Sequence, residues 1–416
     1  MTDVVVVGGG PAGLACAIEL RRRGAREVLV VDRETQAGGI PRHSAHQGFG
    51  LRDLRRVMSG PRYARRYVEL AREEGVDLLE ETMVTGWSAA GGLEVTSPAG
   101  REGLRAPAVV LATGCRERPR SARLVPGSRP DGVMTTATLQ QLVLQGLPVG
   151  SRALVVGAEH VSFSAVLTLA HAGAEVVAMT TELRRDQTLA LFRAGAALRY
   201  RFPLLTRTAV AGIRGRSRVD EVELLDLESR RTRLIACDTV VFTADWIPDH
   251  ELAVMGGLEL DPGTLGPRAD TGLRTTRPGV FAAGNVLHGA EPADIAALSG
   301  RHAAGSVARW LAGDGAWPAA VPIECAPPLH WISPNAIGPN AQSPPRGHFL
   351  LRSRDFARRA ALEIHQDGRL LWSGSARLTP GRSTRLPRGW LSAVDVGAGP
   401  VQVSTRSRLT PSRRLT

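Results

Sequence analysis

VVVVGGGPAG, residues 4–13, is the stretch of sequence that decides the fold of this chain. Its four consecutive valines predict a buried strand, and Pro11 to Arg23 has the apolar spacing of an amphipathic helix. Gly24 ends that helix, and Glu27 to Val31 is a second apolar strand. A strand, a helix and a strand in this order form a βαβ unit, which predicts a parallel sheet with a right-handed crossover.

The glycine spacing of this stretch predicts a dinucleotide site. Gly8 permits a tight turn, Gly10 lets the backbone approach a pyrophosphate, and Gly13 lets the helix pack closely on the strand. The start of the helix directs unpaired N–H groups and the positive end of its dipole at the phosphates. Asp32 ends the second strand, where a carboxylate binds the hydroxyls of an adenosine ribose. The predicted contacts are Gly8, Gly10, Pro11, Ala12, Gly13 and Asp32.

A second βαβ unit lies in the middle of the chain. It has a strand from Ala153, a helix from Val161 to Ala172 and a strand from Glu175 to Met179. Its fingerprint reads GAEHVS at residues 157–162, so it keeps the first glycine and loses the other two. Glu159 stands where a glycine would admit a pyrophosphate, and a carboxylate there repels phosphate by roughly 1 kcal/mol or more.

The residues after this unit leave its ligand undecided. Thr180 stands where NAD-specific sites have an acid, whereas Arg184 and Arg185 suit a 2′-phosphate. One interpretation is a divergent NAD(P)H site. The other is a relic of a duplicated domain that binds nothing, or an adenine nucleotide alone.

Three further motifs resemble the FAD/NAD(P)-dependent oxidoreductases related to the pyridine nucleotide-disulfide reductases. LATG at residues 111–114 is similar to the family's ATG strand, Gly38-Gly39 to its double glycine beside the flavin, and GVFAAGN at residues 279–285 to a segment that ends in A-G-D. The resemblance covers roughly residues 1–311 and implies FAD at the first fingerprint. Asn285 replaces the family's Asp, so it can bond a hydroxyl but adds no charge.

The resemblance also implies which other residues contact FAD. The segment that ends at Asn285 closes over the ribityl chain and the pyrophosphate. The helix from Ile295 to Trp310 directs its N-terminus at the N1/O2 edge of the flavin, where the dipole stabilises the anionic reduced form. Asp294 is alternatively the N-cap of this helix. The residues implied are Arg33, Gly38, Gly39, Val84, Thr113, Gly114, Gly284, Asn285, Asp294 and Ile295.

One branch of these oxidoreductases is especially similar. HQGFGLRDL, GPRYARR, LATGCRERPR and GNVLH resemble the flavoproteins that accompany glycerol-3-phosphate oxidation, and the alpha subunits of opine oxidase, hydrogen cyanide synthase and sarcosine oxidase. In those systems a second flavin subunit commonly meets the amine or alcohol substrate, which implies such a partner here. Several relatives carry a C-terminal iron–sulfur segment. This chain has one cysteine, Cys325, after residue 237, so no such cluster is expected.

These patterns predict an α/β fold with two Rossmann-like dinucleotide-binding domains and a small β-rich C-terminal domain. The FAD-binding domain comprises residues 1–120 and 255–315, and the second nucleotide-binding domain, residues 121–254, interrupts it. Short strands separated by Asp-Gly and Pro-Gly turns predict the β-rich domain at residues 316–403. The polar, basic segment 404–416 is predicted to be disordered.

Two histidines are the candidate catalytic residues. Counting from the double glycine, Pro41 and His46 stand where disulfide reductases have paired cysteines, which excludes a dithiol relay. His46 is a candidate proton donor or acceptor beside the flavin, since histidine titrates near neutral pH; alternatively it lines the loop. His288 is the second candidate. Cys115 follows the ATG motif and is expected to be a packed thiol without redox function.

The composition excludes several other classes of protein. The net charge is +12, but all 52 basic residues are arginine and they are scattered along the chain, so nucleic-acid binding is not expected. No apolar run is long enough to span a membrane, no signal sequence precedes the first strand, and no metal-ligand spacing occurs. A cytoplasmic location is expected. The oligomeric state stays open.

The sequence therefore predicts an FAD-dependent oxidoreductase that passes hydride or electrons through flavin N5. Its donor is NAD(P)H or a small amine or alcohol substrate. The alternatives are an electron-transferring subunit of a multi-subunit dehydrogenase or oxidase, and a non-catalytic FAD-containing scaffold or redox sensor.

Overall fold

A five-stranded parallel sheet contains the first βαβ unit. The computed structural model describes residues 2–89, 91–188, 193, 195, 198–313, 317, 319–339 and 341–406. Parallel sheets are covered on both faces, which explains why the strands are continuous apolar runs without alternation. Across the sheet the strands are β20 (Val280–Ala282), β9 (Ala108–Leu111), β1 (Val4–Val7), β2 (Val28–Val31) and β5 (Asp77–Leu79).

The helices confirm the predicted α/β pattern. Within the described residues they are α1 (Pro11–Arg22), α2 (Gly60–Glu73), α3 (Thr136–Leu144), α4 (His160–His171), α5 (Glu251–Met255) and α6 (Ala293–Leu311). Helices α1 and α6 pack very closely, because a Cβ on Gly300 would lie 1.9 Å from the Ala12 carbonyl oxygen. The contact joins the N-terminal segment of β1 and α1 to the later segment of β20 and α6, and both lie in one hydrophobic core.

A second parallel sheet is formed by the middle of the chain, and the two Rossmann-like sheets confirm the predicted fold class. Leu154 and Val155 of one strand face opposite sides, so α3 and α4 cover one face and an antiparallel sheet covers the other. The strands are, in order, β11 (Val133–Thr135), β18 (Thr239–Phe242), β12 (Arg152–Val156), β13 (Glu175–Thr180) and β14 (Leu204–Leu205); the covering sheet is β15 (Thr208–Gly215), β16 (Val219–Asp226) and β17 (Thr232–Ala236).

Shorter antiparallel elements connect the two sheets and complete the first one. Strand β20, from a later part of the chain, lies in the same sheet as β1. The predicted FAD-binding domain has this arrangement, with residues 1–120 and 255–315 on either side of residues 121–254. The domain boundaries stay a proposal. The elements are β3 (Gln47–Phe49) with β4 (Met58–Ser59); β6 (Met83–Trp87), β7 (Leu93–Ser97) and β8 (Gly100–Leu104); and β10 (Cys115–Glu117) with β19 (Trp246–Pro248).

The C-terminal region consists of two sheets around their own core, in which Phe349 stacks on Trp390 with ring centroids 4.9 Å apart. One sheet has β23 (Ala336–Ile337), β21 (Val321–Cys325), β28 (Val401–Thr405), β25 (Ala357–Gln366) and β26 (Arg369–Leu378); the other has β22 (Leu329–Ser333), β24 (Phe349–Ser353) and β27 (Thr384–Leu386).

The predicted start of the disordered C-terminal tail was wrong. The predicted disordered tail began at Ser404, but Ser404 and Thr405 pair with β25, so strand β28 extends into it. Residues 407–416 of that tail lie outside the described residues. No helix in the described part of the chain is both long and apolar enough to cross a membrane.

The α1–α6 contact yields a matched pair of substitutions in one helix. Gly300→Ala should lower the melting temperature and the flavin content, because the methyl group would collide with the backbone of α1. Gly305→Ala should be neutral or stabilising by up to about 1 kcal/mol, because its added methyl meets no atom nearer than 3.9 Å and alanine favours helix. Thermal unfolding and flavin absorbance of both variants test this; equal stability would contradict it.

Candidate functional site

The glycine turn after β1 is shaped by backbone contacts that exclude side chains. Gly8 has φ +107°, and a Cβ there would lie 2.4 Å from the Ala112 carbonyl oxygen. A Cβ on Gly13 would lie 1.9 Å from the Gly8 carbonyl oxygen. Helix α1 starts at Pro11, and its N-cap, Gly10, has no side chain to occupy the first-turn N–H groups. The turn therefore suits a pyrophosphate.

Asp32 is held at the end of β2 by backbone donors. Its Oδ2 accepts a hydrogen bond from Gly9 N at 2.7 Å, and its Oδ1 accepts one from Glu34 N at 2.8 Å. Burial raises the pKa of Asp32 above its usual value, and the two N–H donors oppose that effect. Because a carboxylate has about four acceptor sites, two are left for ribose hydroxyls. The neighbouring Arg33 side chain is 62% exposed.

The double glycine lies directly on the fingerprint. Gly38 N donates a hydrogen bond to Gly9 O at 2.7 Å, and a Cβ on Gly39 would lie 2.8 Å from Gly10 Cα. Both glycines have positive φ, +123° and +64°. The structure thus brings together two motifs that are nearly 30 residues apart in the sequence, as the resemblance implies.

The residues after β9 form a second support. Thr113 Oγ1 donates to Asp249 O at 2.7 Å, and Gly114 O accepts a hydrogen bond from Asp249 N at 3.0 Å. Burial raises the pKa of the adjacent Cys115 thiol, which disfavours the reactive thiolate. Val84 is buried in β6, which follows the β5–β6 turn that bonds Asp32 O. The predicted FAD contacts of Thr113, Gly114 and Val84 stay predictions.

Asn285 closes a loop. Its Nδ2 donates to Glu291 O at 3.1 Å and its Oδ1 accepts from Glu291 N at 3.0 Å. A carboxylate at this position could not donate the first of these bonds. Gly284 has φ +76° and meets Ala12 of α1, since a Cβ on it would lie 2.5 Å from Ala12 Cβ. The segment thus contacts the helix of the fingerprint, and the side-chain amide of Asn285 is hydrogen-bonded to Glu291.

Helix α6 begins at Ala293, two residues before the predicted start. Pro292 is its N-cap, so the expectation that Asp294 is the N-cap was wrong. Asp294 lies in the first turn, is 3% exposed and pairs with Arg52 at 2.9 Å. Ile295 N bonds Pro292 O within that turn.

The two candidate catalytic histidines lie in different surroundings. His46 is half-buried, with its ring 5.3 Å from that of Phe49 and its Nδ1 2.9 Å from Gln47 O. His288 is buried and stacks on Trp331 of the C-terminal region, with ring centroids 4.9 Å apart. Burial lowers the pKa of His288, which favours the neutral imidazole.

His288 is also oriented for proton acceptance. Its Nδ1 lies 3.2 Å from Gly289 O, a contact that places a hydrogen on Nδ1 and leaves Nε2 as the basic nitrogen. The ring lines a crevice between α6 and the C-terminal region. Its lining includes Asn285, Glu291 and Ile295 from one side and Arg346, His348 and Leu350 from the other.

Arg352 fastens this junction. Its Nη2 donates to Ala290 O at 2.8 Å and lies 3.6 Å from Glu291 Oε1, and its Nε donates to Ser383 Oγ at 3.2 Å. Its guanidinium lies 5.1 Å from the centre of the Trp331 ring. Sequence reasoning missed Arg352 and Trp331, because the family resemblance ends before the C-terminal region.

The degenerate fingerprint of the second sheet is stabilised from within. Glu159 is the N-cap of α4 in a capping box with Ser162, whose Oγ accepts from Glu159 N at 3.0 Å. Ser162 Oγ also lies 2.6 Å from Thr243 Oγ1. The two side chains that replace glycines therefore bind each other's backbone and the neighbouring strand.

The C-terminal region packs at two points against the edge of the second sheet. A Cβ on Gly381 would lie 2.8 Å from the Glu159 carboxyl carbon, so this turn packs on the start of α4. At the end of β13, Arg184 Nη2 donates to Phe356 O at 3.0 Å, and the guanidinium of Arg185 lies 4.2 Å from the Phe356 ring centre. Burial raises the pKa of Glu159, while nearby Arg352 opposes this effect. Both contacts lie at the start of α4 and the end of β13.

Comparisons with known proteins give a family match and a set of distant relatives. Residues 2–300 match the family model described as pyridine nucleotide-disulphide oxidoreductase. The alpha subunit of sarcosine oxidase from Corynebacterium sp. (strain P-1) is 34% identical over 42% of this chain and 19% of that protein. An alkyl hydroperoxide reductase subunit of Pseudomonas putida is 28% identical over 68% of this chain and 53% of that protein. The matches thus span about a fifth and about half of these two proteins.

The HcnB subunit of hydrogen cyanide synthase from Pseudomonas protegens is 27% identical over 73% of this chain and 69% of that protein. Among solved structures, thioredoxin reductase of T. acidophilum has a TM-score of 0.62 at 22% identity and covers 74% of this chain and 97% of its own. A NAD-dependent persulfide reductase from A. fulgidus has a TM-score of 0.58 at 18% identity, with 90% and 70% covered. These two structures show the fold.

The position of Asp32 predicts that the chain retains FAD and not FMN. Asp32→Ala should remove most of the bound flavin, because the ribose loses its carboxylate and the backbone N–H groups of Gly9 and Glu34 lose their acceptor. Asp3→Ala is the matched control, since Asp3 also accepts two backbone N–H bonds, from Arg26 and Glu27, at the other end of β2. Chromatography of the extracted flavin measures both. Recovery of FMN, or full occupancy in Asp32→Ala, would refute the assignment.

The burial of His288 predicts a pH-dependent junction. Because its folded-state pKa is lowered, the unfolded chain binds this proton first, and stability falls as the pH drops through about 6.5. His288→Phe keeps the ring on Trp331 and removes the titration, so its melting temperature should fall less than that of the wild type between about pH 7.5 and 5.5. Exposed His171→Gln is the control. Identical pH profiles of wild type and His288→Phe would exclude this role.

Proposed function

The chain belongs to the pyridine nucleotide-disulphide oxidoreductase family, and from this premise we propose that its flavin is reduced by a small amine or alcohol substrate, with NAD(P)H a poor donor. The chain is an FAD-dependent oxidoreductase, of a family that binds FAD and NAD(P). When bound, FAD supplies hydride or electron transfer through N5. The protein's part is to bind the adenosine and phosphates, orient the substrate and move a proton.

The observation that carries the proposal is the covered edge of the second sheet. Ligands of such sheets bind at the carboxyl ends of the strands. In this chain the Gly381 turn lies on Glu159 at one end of that edge, and Phe356 engages Arg184 and Arg185 at the other. A nucleotide would have to displace both contacts, and it would then meet a carboxylate where its pyrophosphate needs N–H groups.

We assign His288 as the base that accepts the proton of the substrate. An amine must lose a proton before or as it gives up a hydride, which requires a base that is neutral at working pH. His288 is buried, its lowered pKa favours the neutral form, and its Nε2 makes no hydrogen bond with any described residue. His46 stays the second candidate, since it follows the loop of Gly39.

A second candidate function is supported by the relatives. Several of them are named as subunits, among them those of sarcosine oxidase, hydrogen cyanide synthase and opine oxidase. On this alternative the chain passes electrons to or from a second flavin subunit that meets the substrate.

The four cysteines are free thiols, which fits a reducing compartment and supports a cytoplasmic location.

Anaerobic reduction of the purified flavoprotein tests the proposal. NADH and NADPH should bleach the flavin slowly, whereas a secondary amine substrate should bleach it within catalytic times. Phe356→Ala should raise the NADPH rate by about tenfold, because it removes the ring that holds the two arginines away from a phosphate. Leu370→Ala, at an exposed position of the same region, is the control. Rapid, saturable reduction of the wild type by NAD(P)H would overturn the proposal.

A further inference from the structure

We propose that Arg52 keeps the bound flavin easy to reduce by neutralising the buried carboxylate of Asp294, so that these two side chains shift the flavin midpoint potential in opposite directions. Both act through their charge, and neither transfers a proton. The inference goes beyond the proposed function, because it concerns how readily the flavin takes electrons from any donor.

The strand order places the flavin half of FAD on the α6 side of the fingerprint. Asp32 follows β2, on one side of β1, whereas β20 lies on the other side, beyond β9. An FAD with its adenosine at Asp32 and its pyrophosphate at the start of α1 therefore extends its flavin half toward the end of β20. There Gly284 meets Ala12 of α1, and its N–H donates to Ser299 Oγ of α6 at 3.1 Å. The start of α6 thus belongs to the flavin end of the site.

Asp294 brings a buried negative charge to this end of the site. It is the one acidic residue of α6 and lies in the first turn, with a side chain that is 3% exposed. Reduction of the flavin by two electrons with uptake of one proton adds one negative charge to the cofactor. A carboxylate without a counter-ion therefore opposes reduction, and a cation favours it.

Arg52 binds this carboxylate from the loop between β3 and β4. Its backbone N donates to Asp294 Oδ2 at 3.2 Å, and its Nη1 donates to Oδ1 at 3.1 Å and to Oδ2 at 2.9 Å. An exposed ion pair contributes little because water screens it, but a buried carboxylate that loses its cation is left uncompensated. The neutralisation of Asp294 therefore depends on Arg52.

The position of this cation is fixed by the next residue of the loop, Asp53. Its Oδ2 accepts hydrogen bonds from Tyr63 OH at 2.5 Å and from Tyr67 OH at 2.7 Å. Arg301 of α6 donates to Asp53 O at 3.4 Å and to Tyr67 OH at 3.1 Å. Arg301 follows Asp294 by seven residues, so both lie on one face of α6. The helix thus binds the loop at two points and holds the ion pair in place.

Both charges of the pair act in the crevice beside α6. Arg346 lines this crevice together with Asn285 and Ile295, two predicted flavin contacts. Burial lowers the pKa of Arg346, and Arg52 lowers it further, whereas Asp294 raises it. Opposite effects on one side chain indicate that each member of the pair acts on this space with its own sign.

Variants that remove one charge test the proposal in the purified flavoprotein. Arg52→Gln keeps an N–H donor but removes the cation, so it should lower the flavin midpoint potential by about 30 mV, the equivalent of a tenfold change for a two-electron couple. Asp294→Asn should raise the potential by a similar amount, and the double variant should return it to the wild-type value. Arg52→Lys keeps the charge and should leave the potential unchanged. Equilibration of the flavin with redox dyes measures each potential.

The matched control is the ion pair between Arg193 and Asp186, which follow β13 of the second sheet. Its nitrogen and oxygen are also 2.9 Å apart, and its side chains are 50% and 6% exposed, against 47% and 3% for Arg52 and Asp294. Arg193→Gln and Asp186→Asn should leave the flavin potential unchanged. Unchanged potentials in both Arg52→Gln and Asp294→Asn, at full FAD content, would overturn the proposal.

A purely structural ion pair gives a different result, which also overturns the proposal. Both single variants would then lose FAD or shift the potential in the same direction, and the double variant would not restore it. If Arg52→Gln alone fails to retain FAD, Asp294→Asn decides, because only a raised potential agrees with the proposal. The proposed function fails separately, through rapid reduction by NAD(P)H, which leaves these potentials as they are.

Discussion

The guanidinium of Arg352 is the interaction on which the arrangement of the functional regions depends. It is 8% exposed, and a buried cation costs several kcal/mol unless it is paired and hydrogen-bonded. Its partners come from both sides of the junction: Ala290 O and Glu291 on the N-terminal side, and Ser383 with the Trp331 ring on the C-terminal side. Its charge also acts on Glu159 of the second sheet. Satisfying one side chain therefore brings three regions together.

This junction packs against the second sheet and borders the crevice beside α6. Arg352 bonds Ala290, and in the same junction Trp331 stacks on His288, whose ring lines the crevice. Arg352 also donates to Ser383, and the neighbouring Gly381 turn lies on Glu159. The contacts at the edge of the second sheet and the crevice beside α6 are thus two results of one docked C-terminal region.

The parts that sequence could predict are those fixed by neighbours in the chain. Gly8, Gly13 and Asp32 lie within one βαβ unit, so their spacing predicts their contacts. Glu159 could be placed at the start of a helix, but the turn that covers it comes from Gly381, more than 200 residues later. No periodicity encodes such a contact.

The role of Arg352 could not be predicted from the sequence either. With 52 arginines in the chain, no compositional signal marks the one that is buried at a junction. Its position in the apolar strand Phe349–Ser353 is the one local hint, since a charge in such a run must find a partner. Asn285 was interpreted as a weakened cofactor ligand, and its bonds to Glu291 could be seen only in the folded loop.

The second sheet has a structural purpose even where its nucleotide edge is covered. Ser44 Oγ donates to Gln140 Oε1 of α3 at 3.0 Å, and Gln140 Nε2 donates to Ser164 Oγ of α4 at 3.0 Å. All three side chains are buried, so an unmade bond in this chain would cost about 1–3 kcal/mol. Ser44 ends the short turn between Gly39 and His46. Removing the second sheet would therefore free the loop that lies on the FAD fingerprint, so the second sheet also has a structural role beside the FAD site.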